Sequence, residues 1–303
     1  MSAGQMHAGR HPVDDDLVRR LIAGRFPRWA ALPVRRLPSG GTVNAMYRLG
    51  DDMVVRLPLV RGGAADIALE QEWLPRLAPR LPTAVPQVLG AGEPAEGFPW
   101  PWSVHRWLPG ENPEAGAPSE PLLLAADLAG FVTAMRSVTL PGAPRAHRGG
   151  PLSSLDAPTR AAIGELRGIP EEGVDCDAVT AVWEDALRTP EWDGPPVWLH
   201  ADLMPGNLLV DAGRLTAVID FGCTGTGDPA CDLFPAWNLL PAEARKVFRD
   251  ALGVDDATWN RGRARTLSQA LIALPCYRAT NPAMAGNARH VIRAVLEDGT
   301  GTR

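Results

Sequence analysis

Lysine is nearly absent from this chain: Lys246 is the only one, although thirty of the 303 side chains are Lys or Arg. Any task that an ammonium group would perform before residue 246 must therefore fall to arginine, whose planar fork stays charged and grips two oxygens at once. A basic surplus is missing as well, and a formal net charge of −5 leaves no positive field to hold nucleic acid. The four cysteines (Cys176, Cys223, Cys231, Cys276) form no CxxC pair and no zinc-ligand spacing. That pattern argues against a disulfide frame and for a reduced compartment. Long apolar runs are lacking too. The longest, PLLLAADLAGFVTAM, carries Asp127 and is too short to span a bilayer. Residues 1–13 lack the apolar stretch of a signal peptide and read as a frayed tail. The expectation is a cytoplasmic protein with no membrane or nucleic-acid partner and no evident protein partner.

What is present is ordinary globular composition, 45% hydrophobic and 21% charged, with length enough for two lobes. DDDLVRRLIAGRF from Asp14 reads as a short helix with acidic residues at its start. PVRRLP, TVNAMYRLG and DMVVRLP alternate or are β-branched and are separated by Gly- and Asp-rich turns, which predicts an antiparallel meander. A helix AADIALEQEWLPRLA follows, then strand-like VPQVLGAGE and PWSVHRWL. After Pro109-Gly110 the character changes. Leu124, Leu128, Phe131, Val132 and Met135 form a helical stripe, and residues 141–160, rich in Pro, Gly, Arg and Ser, read as an exposed connection. DAVTAVWEDALRT is another helix, strands PVWL, NLLV and LTAVID come next, and the tail from Asp228 is helical with a break at CYRATNPAMAGN. The fold class is α+β: a small N-terminal antiparallel β lobe over residues 1–108 and a larger, mainly helical C-terminal lobe over 109–303.

The chemistry concentrates between residues 197 and 233. His200, Asp202 and Asn207 follow one apolar strand, Asn207 leads into another, and Asp220 ends a third at a turn that contains Gly222. A carboxylate and an amide oxygen are hard ligands suited to Mg²⁺, and a second carboxylate off the metal orients or deprotonates a hydroxyl. The spacing H-x-D-x-x-x-x-N followed by D-F-G is the one protein kinases use, with the first Asp as base and Asn and the second Asp on Mg²⁺. Any one of these residues alone is an ordinary turn former. Their order, spacing and flanking strands together are far more specific. His200 reads as scaffold for the loop.

HADLMPGN, IDFG and GDPACDL together resemble the choline/aminoglycoside phosphotransferase family, small-molecule kinases with a protein-kinase-like two-lobe fold. SGGTVNAMYRLGDDMVVRLP, EQEWLPRLA and FPWPWSVHRWLPGE also look like that family's actinobacterial members. The resemblance covers about residues 14–300. It implies Asp202 as the catalytic Asp, Asn207 and Asp220 on Mg²⁺, and Asp228 as a brace for the catalytic loop supported by His200. Asp228 also suits the N-cap of the helix DPACDLF.

At the nucleotide end, Ser39, Gly40, Gly41 and Thr42 lie between two strands and can fold over a triphosphate, although they depart from G-x-G-x-x-G. Arg56 in MVVRLP stands where kinases place a lysine, with Glu70 as its expected partner and Glu72 as the alternative. WSVHRWL resembles the segment joining the lobes, whose backbone would bind the adenine edge, and this makes His105 and Trp107 candidate nucleotide contacts. The tryptophans of that region also suit core packing. The donor is expected to be ATP or GTP.

Only four residues, 223–226, separate DFG from GDPACD, too few for the activation segment that seats a polypeptide, and no A-P-E follows. A small hydroxylated acceptor is therefore expected, of the aminoglycoside or macrolide antibiotic type, with an endogenous metabolite as the alternative. Residues 170–193 carry eight acidic side chains against Arg188, a cluster suited to a polycation or to a solvated helix face. From residue 241 onward ten basic side chains outnumber six acidic ones, which does not favour a highly cationic acceptor. Two rivals stand against the kinase reading. A catalytically dead nucleotide-binding module predicts loss of a key polar residue, and none is lost. A metallohydrolase needs converging histidines, and the others are scattered.

Overall fold

The computed structural model describes residues 10–37 and 43–300, so the Ser39–Thr42 loop expected at the nucleotide lies outside the described residues. The described chain forms two units: residues up to Gly110 with Ala217–Gly222, here the N-terminal unit, and Glu111–Thr216 with the chain from Cys223 onward, the C-terminal unit. Among the described residues no helix is long and apolar enough to cross a membrane.

The N-terminal unit begins with α1 (Asp15–Arg25), where the Asp14 side chain accepts the Leu17 N–H and so satisfies one of the four orphan donors of the first turn. Strands β1 (Val34–Arg36), β2 (Asn44–Leu49) and β3 (Met53–Pro58) precede α2 (Arg61–Leu77). Then come β4 (Val88–Gly92) and β5 (Trp102–Arg106). The strands form one antiparallel sheet in the order β1-β2-β3-β5-β4, as the alternating sequence predicts. Because successive side chains point to opposite faces, Tyr47, Leu49, Val55, Leu57 and Val104 share one face. They are buried there with Leu17, Val18, Leu21 and Ile22 of α1. The other face carries Met46, Arg56 and Ser103 in one cross-strand row.

Two boundaries differ from the sequence reading. Residues 11–13 are not a frayed tail: the His11 N–H donates to Leu59 O at 2.9 Å, and the Tyr47 hydroxyl donates to Val13 O at 3.2 Å. Main-chain bonding to the sheet holds a segment whose composition gives no sign of it. Residues 217–222 pack in the N-terminal unit, with the Val218 N–H donating to Ala84 O at 2.9 Å.

In the C-terminal unit α3 (Pro121–Arg136) buries the predicted stripe Leu124, Leu128, Phe131, Val132 and Met135. Next comes α4 (Asp156–Arg167), then α5 (Cys176–Leu187), β6 (Val197–Leu199), β7 (Leu208–Asp211), β8 (Arg214–Val218, whose last two residues belong to the N-terminal unit) and β9 (Gly225–Gly227). The chain closes with α6 (Pro235–Asn238), α7 (Ala242–Leu252), α8 (Asp256–Tyr277) and α9 (Pro282–Thr300). β6 pairs antiparallel with β9, and the break between α8 and α9 falls inside the segment read as an interruption.

Residues 141–160 are mostly exposed or half-buried, but they are firmly bonded. The Ala146 N–H donates to Thr226 O at 3.0 Å, the Thr226 N–H to Pro144 O at 2.8 Å, and the Asp228 N–H to Gly149 O at 3.1 Å. The stretch is thus a strap bonded along β9, and its last residues begin α4. The approach requires glycine: a Cβ on Gly227 would sit 2.5 Å from Gly149 O.

Candidate active site

In the N-terminal unit the site grows from one buried cation. Arg56 Nη1 donates to both Glu70 oxygens, at 2.7 and 2.6 Å, and Nη2 donates to Asp220 Oδ1 at 2.9 Å. Glu70 is fully buried, and its Oε1 also accepts the Phe221 N–H at 2.8 Å. The helix partner of Arg56 is therefore Glu70, and Glu72 is exposed. Burial alone would draw the Arg56 guanidinium down, but the Glu70 and Asp220 carboxylates outweigh it and hold it above its ordinary range. Asp220 is half exposed and sits at φ +65°, a left-handed backbone uncommon for a residue with a side chain. Gly222 completes that turn, since a Cβ there would lie 2.7 Å from the Asp66 side chain.

His105 lies in β5 and Trp107 directly follows that strand, the place where the sequence puts candidate nucleotide contacts. His105 lies between Val54 of β3 and Val88 of β4, its side chain is buried, and its Nε2 has no hydrogen-bond partner. Burial, with the Arg56 charge beside it, pushes its imidazole down to about 3, so it is neutral at ordinary pH. The Trp107 N–H is spent on Asp52 O at 2.6 Å, and the Arg48 guanidinium covers its ring at 3.9 Å. The tryptophans divide in the same way: Trp102 is fully buried in the core, as packing predicts.

The C-terminal unit holds the second half of the motif. After β6 the chain turns through Ala201, a buried non-glycine residue at φ +64°. Such strain costs about 1–3 kcal/mol and persists only where its surroundings fix it. Asp232 fixes it here: its carboxylate accepts the His200 N–H at 2.8 Å and the Ala201 N–H at 2.7 Å. Asp232 is fully buried, which pushes its carboxyl up. His200 is also fully buried, and its Nδ1 accepts the Asp202 N–H at 3.2 Å, so the ring holds the loop backbone.

Asn207 Nδ2 donates to Asp202 O at 2.8 Å and to Asp202 Oδ2 at 3.0 Å. With both amide protons directed at Asp202, the acceptor oxygen of Asn207 makes no hydrogen bond among the described residues. An oxygen left in that way is a suitable hard ligand for a divalent cation. Asn112 secures the far end of the loop by donating to the carbonyls of Gly206 at 3.1 Å and Leu208 at 2.8 Å.

Asp228 makes no hydrogen bond to the 200–207 loop among the described residues. Its side chain caps the following short helix through the Ala230 N–H and receives Arg261 Nε at 3.0 Å and Arg265 Nη2 at 3.2 Å. The brace that the resemblance assigns to Asp228 is supplied by Asp232, four residues on in GDPACDL. Arg148 was also missed. From the strap it donates through Nη1 to Asp202 Oδ1 and, at 3.2 Å, to Ala201 O. Sequence gave no signal for Arg148, because the bond joins residues 54 apart.

The acidic run at 170–193 is largely consumed within the unit. Glu171 pairs with Arg278, Glu172 with Arg289, Asp177 with Arg167, Glu184 with Arg160 and Asp185 with Arg188. Asp175 caps α5, and Glu191 accepts the Leu152 and Ser153 N–H groups.

With this geometry in place, comparison with known proteins gives a family. Residues 34–267 match the phosphotransferase enzyme family. The aminoglycoside 3'-phosphotransferases of Escherichia coli and Salmonella typhimurium are each 30% identical over 87 residues, 27% of this chain. The matched segment covers only 32% of the length of those relatives. Among solved structures, the GDP and kanamycin complex of APH(2")-IIia superposes with a TM-score of 0.74 at 20% identity, over 94% of this chain and 99% of that one. The apoenzyme of macrolide 2'-phosphotransferase MphH from Brachybacterium faecium gives 0.59 at 21% identity, over 92% and 98%. At such identities the likeness is one of fold, an α+β arrangement of an antiparallel sheet and a mainly helical part. The family match covers most of the chain and includes both Arg56 and the Asp202–Asp220 segment, so the chain belongs to the phosphotransferase enzyme family.

Proposed function

We propose that this protein transfers the γ-phosphoryl group of ATP or GTP to a hydroxyl of a small molecule, an antibiotic of the aminoglycoside or macrolide type. One observation carries the reading: the Asp202 carboxylate is held by Asn207, whose amide spends both protons on Asp202 and keeps its oxygen for a cation. The relatives point the same way, since they include aminoglycoside and macrolide phosphotransferases, with GDP or ADP in several of the structures.

Asp202 orients the acceptor hydroxyl and accepts its proton as the phosphoryl group departs. Asn207 and Asp220 are the proposed Mg²⁺ ligands, each with a carbonyl or carboxylate oxygen suited to it. The metal would neutralise charge on the phosphate oxygens. Arg56 takes the place of the usual lysine toward the triphosphate, together with the Ser39–Thr42 loop. Catalysis of this kind is mostly positioning plus charge neutralisation.

The test is a phosphorylation screen of antibiotics and hydroxylated metabolites with ATP and with GTP. Asp202→Ala should cut transfer by about 10²–10⁴-fold, while calorimetry shows nucleotide affinity largely kept. Retained turnover with lost nucleotide binding contradicts the assignment.

A further inference from the structure

Beside the oxygen that Asp202 would offer to an acceptor lies a fixed positive charge. Arg148 Nη1 is bound to Asp202 Oδ1 and Ala201 O, whereas its Nε and Nη2 make no hydrogen bond among the described residues. Its side chain is 35% exposed. The Asp202 carboxylate holds the Arg148 guanidinium above its ordinary value despite burial, so the charge is permanent.

The charge is also fixed in place by its own backbone. Arg148 O accepts Arg265 Nη1 at 3.0 Å and the Cys231 thiol at 3.4 Å, and Gly150 O accepts Arg265 Nη2. Arg265 is in turn anchored on Asp228 at 3.2 Å. Asp202 is the carboxylate bound to it, and the acidic residues of 170–193 are committed to partners within the unit, with Asp193 alone making no bond there among the described residues.

We propose that Arg148 is the charge filter of the acceptor site, selecting hydroxylated acceptors of low positive charge with an ether, carbonyl or carboxylate oxygen beside the reacting hydroxyl. The inference rests on the reading of Asp202 as the group that receives the acceptor. The free guanidinium donors reward an oxygen at that place. The one ammonium placed there meets a like charge, which costs roughly five- to tenfold in affinity after solvent screening.

The test uses one aminoglycoside and its successively N-acetylated forms, which lose charge while keeping the same hydroxyls. Binding to wild type, Arg148→Gln and Arg148→Lys is measured by calorimetry, and transfer from ATP and GTP is measured in parallel, with melting curves to confirm folding. Wild type and Arg148→Lys should bind and phosphorylate the acetylated forms better than the parent. Arg148→Gln should gain about tenfold in kcat/KM and in affinity for the parent relative to the most acetylated form, at unchanged nucleotide affinity. An equal loss for every acceptor with the ranking kept makes Arg148 only a holder of Asp202 and overturns the proposal, as does absence of binding by the whole series. Binding that follows charge without any phosphoryl transfer supports the filter and instead sinks the proposed function.

Discussion

At the scale of single residues, the 200–202 turn hangs on one buried carboxylate, that of Asp232. Asp228 and Asp232 sit four apart in one motif, and only the positions of the His200 and Ala201 N–H groups decide which of them braces the loop. Arg56 was legible from its likeness to the place of the kinase lysine, and Glu70 from lying four residues before Leu74, with Glu72 set aside only by its exposure. His105 shows what spacing does not reach: its side chain is buried and neutral. That burial has a measurable consequence. Its imidazole is pushed down to about 3 in the folded protein, from an ordinary 6.5. As pH falls below 6.5 the unfolded chain takes up a proton that the folded protein refuses. Stability is therefore fully present above that pH and is lost on the way down to the folded value. Between pH 6 and 4 the stability of wild type relative to His105→Gln should fall by about 1.4 kcal/mol per pH unit. Urea unfolding of both proteins across that range measures it, and parallel curves would contradict the burial of the ring.

At the scale of elements, periodicity revealed the meander, α2 and α3, because their apolar residues recur on one face and are buried there. It did not reveal the strap at 144–150 or the helix α4 that follows. The strap is held by carbonyls that accept bonds from β9 and from Arg265, and such bonds leave no side-chain pattern to read. α4 buries only Thr159, Ala162, Ile163 and Leu166, a stripe too sparse to stand out in a Pro- and Gly-rich stretch. The order of the strap rests on two glycines in contact, which gives a direct test. Gly227→Ala places a Cβ 2.5 Å from Gly149 O and 2.6 Å from Gly149 Cα, both backbone atoms. The strap must lift, so the substitution should cost about 1–3 kcal/mol and leave residues 141–150 open to protease. Limited proteolysis with mass spectrometry reads that directly. A variant with wild-type stability and an uncut strap would show that this packing does not order the segment.

At the scale of the whole molecule, the shortage of lysine becomes a diagnostic. All but one of the thirty cationic side chains are arginine. The exception, Lys246, lies exposed on α7 beside Asp250. Acyl-phosphate derivatives of ATP transfer their acyl group to an amine held near the phosphates. A guanidinium, protonated at all ordinary pH and here bound to Glu70 and Asp220, does not accept it. Wild-type protein should therefore show no nucleotide-protected acylation, and Lys246 should be labelled equally with and without excess ATP. Arg56→Lys puts an amine on the same strand position opposite Glu70. If the nucleotide phosphates lie against position 56, this variant should acquire a new label there that excess ATP removes. A label on Lys246 that ATP protects, or a folded Arg56→Lys variant that binds ATP but gains no label, would place the triphosphate elsewhere. The arginine substitution would then lose its assigned role, while the Asp202 assignment would stand on its own test.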